Sequence, residues 1–231
     1  MTTQTKSLRE LADRAAIELA DAPAVEVIGW AAETFGARFA IAASMQDGVL
    51  PHLARRAAPS AALLFLDTGY HFAETIATRD RVARDYGLTV LNLTAQKSVS
   101  EQDAEFGARL HDRDPDLCCA LRKTAPLDVA LDDYDAWATG VRRVEAPTRA
   151  STAVIGYDEK RDTVKISPLA AWSDQDLADY IAEYDVIVNP LLHQGYPSIG
   201  CAPCTRAVRP GEDPRSGRWS DTVKTECGIH L

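Results

Sequence analysis

Short apolar runs that alternate with helical patterns constrain the fold of this chain most strongly. Runs over residues 38–43, 61–66, 88–93 and 136–140 predict strands, the first of them a buried one. Strands that are joined by helices form a mainly parallel sheet whose two faces are covered. The sequence therefore predicts an α/β fold with helices on both faces of the sheet.

Helix signals lie between and beside these runs. Ser7 with Glu10 fits a capping box that opens a helix to about Ala20, and Ser98 with Glu101 fits a second box. Further helices are predicted over residues 25–35, 49–56, 71–86 and 173–184.

The chain changes character in its second half. Residues 153–157 and 163–166 flank a charged turn and predict a hairpin. After residue 190 the chain is irregular and rich in glycine and proline. We therefore expect a nucleotide-binding core with N-terminal helices over residues 1–190, and a C-terminal extension over residues 191–231 that carries a Cys-x-x-Cys pair and the last cysteine.

Polar turns follow three of the predicted strands. They comprise residues 44–48, residues 67–69 and Gly140. In parallel α/β sheets, ligands bind beyond the carboxyl ends of the strands. The three turns therefore predict a nucleotide site at one edge of the sheet.

Composition and charge narrow the class of protein. The 231-residue chain carries a net charge of −9, which disfavours a protein that reads nucleic acid through its phosphates. It contains no run of about 18 apolar residues and no apolar signal core near its N-terminus. We therefore expect a cytoplasmic protein without membrane contact, and its odd cysteine count argues against a disulfide framework.

Basic residues are nevertheless concentrated in two stretches around the later cysteines. Together they suit a small, strongly anionic ligand, whereas a solvated surface is the alternative for any one of them. They are Arg142, Arg143, Arg149, Arg206, Arg209, Arg215 and Arg218.

Four of the five cysteines can form one metal site. Cys118 and Cys119 are adjacent, whereas Cys201 and Cys204 have the Cys-x-x-Cys spacing. Adjacent side chains on a helix diverge by about 100°, so the first pair suits a wide iron–sulfur cluster better than a single zinc ion. Three alternatives remain at this point: a zinc ion at these cysteines, a redox pair at Cys201 and Cys204, and a purely apolar role for Cys118 and Cys119.

The fifth cysteine stands apart in the C-terminal tail. Cys227 lies three residues before His230, a potential cation, and after the arginine-rich stretch. Neighbouring cations favour the reactive thiolate form of a cysteine. The pattern indicates a nucleophile, and the alternative is an incidental thiol near the chain end.

These features occur within motifs of a known family. The chain resembles the assimilatory adenylyl-sulfate reductases, the iron–sulfur branch of the phosphoadenylyl-sulfate reductase family, over residues 39–230. The tandem cysteines with Cys-x-x-Cys distinguish this branch. The motifs are Leu66-Asp-Thr-Gly-Tyr70, Cys118-Cys-Ala-Leu-Arg-Lys123, Gly140-Val-Arg-Arg143, Gly195-Tyr-Pro-Ser-Ile-Gly-Cys-Ala-Pro-Cys-Thr205, Pro214-Arg-Ser-Gly-Arg-Trp219 and Glu226-Cys-Gly-Ile-His230.

The resemblance implies a fold, a cofactor and a reaction. The implied fold is that of the PP-loop (adenine nucleotide alpha hydrolase-like) enzymes. A [4Fe–4S] cluster would be bound by Cys118, Cys119, Cys201 and Cys204. Adenosine 5′-phosphosulfate would be reduced to sulfite and AMP, with thioredoxin as reductant, in sulfate assimilation and cysteine biosynthesis.

The resemblance also implies roles for single residues. Cys227 would be the nucleophile, and Thr68 would lie near the cluster. The adenylate contacts would fall near Ser44, Leu66, Gly140 and Arg149. The phosphosulfate contacts would fall on Lys123, Arg215, Arg218 and His230.

Other functions remain open at the level of the sequence. A phosphoadenylyl-sulfate reductase is the nearest alternative, and a non-catalytic, metal-stabilised nucleotide-binding protein is a more distant one. Residues 44–48 read Ser-Met-Gln-Asp-Gly and lack the glycines with which ATP-cleaving PP-loop enzymes grip pyrophosphate, which disfavours an ATP-dependent ligase or sulfurtransferase. The sequence leaves the oligomeric state undecided, a homo-oligomer included.

Overall fold

The central feature of the fold is a mainly parallel sheet. The computed structural model describes residues 3–220, 222 and 224–229, and side chains from residue 7 onward. In this part of the chain, six strands form one sheet in the order β3-β2-β1-β4-β6-β5. The strands are β1 (Phe39–Ala42), β2 (Ala62–Asp67), β3 (Val90–Thr94), β4 (Ala136–Thr139), β5 (Ile155–Asp158) and β6 (Thr163–Ile166).

The pairing of the strands confirms the predicted architecture. β1 pairs in parallel with β2 and β4, β2 with β3, and β4 with β6. β5 runs antiparallel to β6, as the hairpin pattern predicted. Because β1 lies in the middle of the sheet, its residues Phe39, Ala40 and Ile41 are buried on both faces.

Helices cover the two faces of this sheet. They are α1 (Thr3–Glu18), α2 (Ala24–Phe35), α3 (Val49–Ala57), α4 (Ala73–Tyr86), α5 (Val99–Phe106), α6 (Leu110–Arg113), α7 (Pro115–Cys119), α8 (Ala125–Leu131) and α9 (Asp174–Tyr184). Ile41 joins a large apolar cluster with α1, α2 and α3, whereas its neighbour Ala40 packs with Leu127 and Leu131 of α8. Alternate residues of one strand thus serve opposite faces. Within the described residues, no helix combines the length and apolar character that crossing a bilayer requires.

Of the two predicted capping boxes, one is confirmed and the other is wrong. Ser98 and Glu101 form the expected capping box, with Ser98 N donating to Glu101 Oε2 at 2.8 Å. The box at Ser7 and Glu10 is wrong, because α1 already begins at Thr3 and Ser7 lies inside it. Residues upstream of Ser7 are compatible with a helix, so the helix extends through them to satisfy more backbone groups.

The chain after β6 and α9 is anchored to the turn that follows β1. Asn189 is fully buried, and its Nδ2 donates to Met45 O at 3.2 Å and to Thr75 Oγ1 at 3.1 Å. Gln46 Oε1 accepts a hydrogen bond of 3.0 Å from Ile199 N. From Pro190 onward the described residues form two 3₁₀ turns and an isolated bridge. The irregular segment is therefore fixed across the carboxyl ends of the strands.

Candidate active site

A cavity of about 530 Å³ lies at the carboxyl ends of the parallel strands. Its wall includes Ser44 after β1, Leu66 at the end of β2 and Gly140 after β4. This is the position at which α/β sheets bind ligands, and the volume is that of a small-molecule site. The structure thus brings the three predicted turns together around one cavity.

The same cavity gathers residues that are far apart in the sequence. Its wall contains the predicted adenylate and phosphosulfate contacts other than His230, together with the predicted nucleophile: Ser44, Leu66, Lys123, Gly140, Arg149, Arg215, Arg218 and Cys227. Cys227 is partly buried. His230, which the sequence placed beside the nucleophile, lies outside the described residues.

The other four cysteines line a second, smaller cavity. Cys118, Cys119, Cys201 and Cys204 all contribute to its wall. The first three are buried and Cys204 is partly exposed. Distant parts of the sequence therefore converge on one cysteine site that adjoins the larger cavity.

An irregular helix presents the tandem cysteines. Helix α7 begins at Pro115, and the side chain of Asp114 caps it by accepting a 2.9 Å hydrogen bond from Leu117 N. After Cys119 the chain continues into a π-helical turn, Ala120–Thr124, before α8. A π turn inserts an extra residue per turn and rotates the side chains that follow it. This turn carries Lys123 to the boundary between the two cavities.

The chemistry of the four thiols fits a metal cluster. Burial, followed by the neighbouring thiols, raises the pKa of Cys118 to about 12, and burial raises the pKa of Cys204 to about 11. Four thiolates are stable in such surroundings when a cationic metal centre takes up their charge. Among the described residues, no three His, Cys, Asp or Glu side chains converge on a single metal-ion position. Four cysteine sulfurs around a buried cavity are the donor set of an iron–sulfur cluster.

Three residues are shared by the walls of both cavities. They are Thr68, Lys123 and Cys201. Thr68 Oγ1 lies 3.3 Å from Cys201 Sγ. Burial would lower the pKa of Lys123, but the thiols of Cys201, Cys227 and Cys119 outweigh it and raise the pKa. Lys123 therefore stays charged between the cysteine site and the predicted nucleophile.

Arg122 connects the cysteine helix to the turn after β2. It is buried and donates to Thr68 O, to Lys97 O at 3.2 Å and to Gln102 Oε1 at 3.1 Å. Gly69 has a φ of +72°, and a Cβ there would meet Arg122 Nη2 at 3.1 Å. The packing thus requires glycine at this position of the turn.

Arg218 is held at the cavity wall by contacts within the C-terminal extension. Its Nη1 donates to Ile199 O at 3.2 Å and to Ser198 Oγ at 3.3 Å, and its guanidinium lies 4.5 Å from the Trp219 ring centroid. Burial lowers the pKa of Arg218, although an arginine stays protonated in proteins. A Cβ at Gly200 would lie 2.5 Å from Arg218 Cζ, so a larger residue there would displace the cation.

One cavity residue, His71, was not predicted as functional from the sequence. His71 was expected inside a helix, but α4 begins at Ala73, and His71 lines the cavity with its Nε2 2.8 Å from Leu66 O. Burial lowers the pKa of His71, which keeps its ring neutral. Arg142, one of the arginines that the sequence assigned to an anionic ligand, also lines the cavity; it is buried, pairs with Asp174 at 2.8 Å, and leaves its Nη1 without a partner in the described part of the chain. The only signal for His71 in the sequence was its position just after the polar turn that follows β2.

The fold and the cavity define the class: an α/β nucleotide-binding protein of the PP-loop type. Within that class, this chain belongs to the phosphoadenosine phosphosulfate reductase domain family, whose model matches residues 38–207. This confirms the fold and the family that the sequence motifs predicted.

Individual relatives support the assignment to this family. The adenosine 5′-phosphosulfate reductase of Streptomyces coelicolor is 58% identical over 226 residues, which cover 98% of this chain and 96% of the relative. That of Mycolicibacterium smegmatis is 54% identical over 232 residues, which cover 100% and 98%. The crystal structure of a phosphoadenylyl-sulfate reductase from Candida auris, a phosphate complex, superposes with a TM-score of 0.72 at 28% identity, covering 87% of this chain and 97% of that one.

Proposed function

We propose that this protein reduces adenosine 5′-phosphosulfate to sulfite and AMP, with thioredoxin as electron donor, in sulfate assimilation and cysteine biosynthesis. The observation that carries the proposal is the position of Cys227 in one cavity wall with Lys123 and Arg218. Two relatives that are more than half identical bear the name of this activity. The reducing cytoplasm is the compartment in which such thiols remain usable.

We assign the two halves of the substrate to two parts of the cavity. The adenylate lies against the strand-end turns at Ser44, Leu66 and Gly140, next to Arg149. Lys123, Arg215 and Arg218 bind the phosphosulfate, whose negative charges they offset.

In the first step, the Cys227 thiolate attacks the sulfur atom of the phosphosulfate. A sulfur–sulfur bond forms and the sulfur–oxygen bond to phosphate breaks, so that its electron pair leaves with AMP and an S-sulfocysteine remains. The cations reduce the repulsion between the thiolate and the anionic sulfate, and they stabilise the charge on the departing phosphate. AMP is thus released in this step, whereas the sulfonate group stays on Cys227.

In the second step, a thiolate of thioredoxin attacks the Sγ atom of Cys227. The bond between Cys227 Sγ and the sulfonate sulfur breaks, its electron pair leaves with sulfite, and a mixed disulfide between Cys227 and thioredoxin forms. The second thiol of thioredoxin then releases Cys227 and leaves thioredoxin oxidised. This step requires Cys227 to be accessible, and its partial exposure at the cavity wall and its place in the tail are compatible with that.

We place a [4Fe–4S] cluster on Cys118, Cys119, Cys201 and Cys204. When bound, it supplies a fixed charged centre beside the substrate site. Thr68 and Lys123 border both sites, and Lys123 holds a positive charge between the cysteine site and the sulfate. Thioredoxin supplies both electrons, so the residues of this chain need only bind, orient and exchange thiols.

The pairing of the charged groups favours the substrate without a 3′-phosphate. Arg149 is held by two carboxylates, and Arg142 pairs with Asp174. Among the described residues of the cavity wall, the remaining Lys and Arg are Lys123, Arg218 and Arg215, the last of which shares Glu226 with Arg149 at 3.2 Å. These three cations offset the charge of a phosphosulfate group, and a further phosphate would have to compete with the carboxylates that hold Arg142 and Arg149.

The direct test compares the two sulfonucleotides. Protein that is purified without oxygen is mixed with reduced thioredoxin and either adenosine 5′-phosphosulfate or its 3′-phosphorylated form, and sulfite is measured. We expect a strong preference for the first compound. A preference for the second would identify a phosphoadenylyl-sulfate reductase, and no sulfite from either would favour a non-catalytic nucleotide-binding protein.

Lys123→Met is expected to lower kcat/KM for sulfite formation by about 10²- to 10³-fold, the usual cost of removing a charge-stabilising group from an active site. The substitution keeps the length and packing of the side chain while it removes the ammonium group between the cysteine site and Cys227. Steady-state kinetics with thioredoxin measures the effect.

Lys160→Met is the matched control for this variant. Lys160 is half exposed and pairs with Asp128 at 3.5 Å, away from the cavity wall. We expect its kinetics to stay within about twofold of the parent, since surface ion pairs contribute little. An equal loss in both variants would contradict the role of Lys123.

A further inference from the structure

We propose that Glu226 is a positioning residue that clamps the C-terminal tail to the core and so holds Cys227 at the substrate cavity. The clamp consists of Glu226 with Arg149, Thr148 and Arg215. This proposal rests on the proposed function, because it concerns how the nucleophile of that reaction is placed.

The core side of the clamp has a specific geometry. Arg149 binds Glu226 through two parallel hydrogen bonds, Nε to Oε1 at 2.8 Å and Nη2 to Oε2 at 2.8 Å. Thr148 Oγ1 donates a third bond of 3.1 Å to Oε1. A bidentate arginine–carboxylate pair fixes orientation as well as distance. The 3₁₀ turn Pro147–Arg149 therefore fixes the carboxylate of Glu226, the residue that directly precedes Cys227.

The extension supplies the other side of the clamp. Arg215 Nη2 lies 3.2 Å from Glu226 Oε2 and donates to Thr225 O at 3.0 Å. Glu226 thus joins the core, the extension and the tail at one point. Both arginines also line the substrate cavity, so tail closure and substrate binding use the same cations.

Burial makes this ion pair more than a surface contact. Glu226 is 7% exposed. Burial would raise the pKa of Glu226, but the hydrogen bonds and charge of Arg149, with Arg215, outweigh it and lower the pKa. The carboxylate is therefore charged at neutral pH. Exposed ion pairs contribute little to the free energy of unfolding. Removing one partner of a buried pair is costly, because it leaves an uncompensated charge in the interior.

The clamp also offsets the negative charge that Glu226 places beside the nucleophile. A lone carboxylate next to Cys227 would oppose formation of the thiolate and repel the sulfate. In the structure its charge is offset by Arg149 and Arg215, and Arg149 is in turn held by Glu145 at 2.5 Å. The carboxylate can therefore anchor the tail with little electrostatic cost to the reaction.

The first test measures the accessibility of Cys227, without substrate or turnover. The cluster-containing protein is alkylated with iodoacetamide, and labelling of Cys227 is followed by peptide mass spectrometry. Glu226→Gln is expected to raise the labelling rate by about tenfold or more, since a neutral amide cannot replace a charge in a buried pair. Labelling at the parent rate would overturn the proposal.

Two further variants keep this test interpretable. Glu212→Gln makes the same chemical change in the same extension, where Glu212 pairs with the half-exposed Arg206, and it should leave Cys227 labelling within about twofold. Thr148→Val removes only the third hydrogen bond and should give a smaller rise than Glu226→Gln. If Glu226→Gln loses iron or fails to fold, the labelling rate of Cys227 in Thr148→Val tests the clamp instead. An unchanged labelling rate in that variant would contradict the clamp.

The second test separates positioning from the later exchange step. Adenosine 5′-phosphosulfate is added without thioredoxin, and formation of S-sulfocysteine is timed. Glu226→Gln should form it about tenfold more slowly, whereas release of sulfite from the preformed adduct by thioredoxin should not slow. An unchanged rate of formation would overturn the positioning role. If the parent protein forms no S-sulfocysteine, the proposed function fails, and the labelling rates still test the clamp.

Discussion

Cys227→Ser is expected to abolish sulfite formation, with a loss of about 10⁴-fold or more, as for other active-site nucleophiles. A serine hydroxyl cannot form the thiosulfonate bond from which thioredoxin releases sulfite. Substrate binding and iron content should be unchanged, because Cys227 lines the large cavity and not the four-cysteine cavity. Sulfite assay, nucleotide titration and iron analysis measure the three quantities separately.

Thr222→Ser supplies the control for changes to the tail. Thr222 lies in the same tail, and the substitution removes one methyl group while it keeps the hydroxyl that bonds to Trp219 O at 3.1 Å. Its turnover should equal that of the parent. Retained turnover in Cys227→Ser, or loss in both variants, would remove Cys227 from its assigned role.

Cys118→Ala is expected to lower the iron content from about four atoms per chain to a small fraction of that, because a cubane cluster uses four thiolate ligands. Sulfite formation should fall with the iron. Cys118 lies in the last turn of α7, which continues after Cys119 into the π-helical turn that carries Lys123. Loss of its ligand role should therefore also displace the Lys123 ammonium group. Iron analysis and the visible absorbance of the purified protein measure the change.

Cys227→Ser is also the matched control for this second prediction. It removes one thiol outside the proposed ligand set and should keep the full iron content. Full iron in Cys118→Ala would contradict the four-ligand assignment. One zinc ion per parent chain in place of iron would contradict the cluster itself.

The positions of the strands along the chain and the place of the site could be predicted from the sequence because local signals determine them. The apolar run before Ser44 is continuous and ends in polar residues, so it indicates both a buried strand and a strand-end turn. The hairpin at β5 and β6 follows from two runs around a charged turn. Parallel topology then brings Ser44, Leu66 and Gly140 to one edge.

The local features that the sequence did not predict depend on long-range packing. The π-helical turn Ala120–Thr124 cannot be distinguished from a regular helix by its residue types. The residues between Ser44 and Gly48, whose contacts the motif left open, bind other parts of the chain: Gln46 accepts from Ile199 N, and Asp47 forms a bridge with Val188. Such partners lie more than a hundred residues away.

The clamp at Glu226 is the clearest case of this limit. In the sequence, the residue stands as an acid beside the nucleophile, where it works against the cations. In the structure, two arginines from different segments surround it. Only the folded chain brings Arg149 and Arg215 within ion-pair distance of Glu226. Its carboxylate, which alone would oppose the thiolate, can then hold the tail in place.

The most direct test of the central claim is the mass of the protein after incubation with adenosine 5′-phosphosulfate alone. Without thioredoxin, we expect the intact chain to gain the mass of one SO₃ group, peptide mapping to place it on Cys227, and reduced thioredoxin to remove it as sulfite. A chain that makes sulfite with thioredoxin but carries no adduct, or carries it on another residue, would contradict the account.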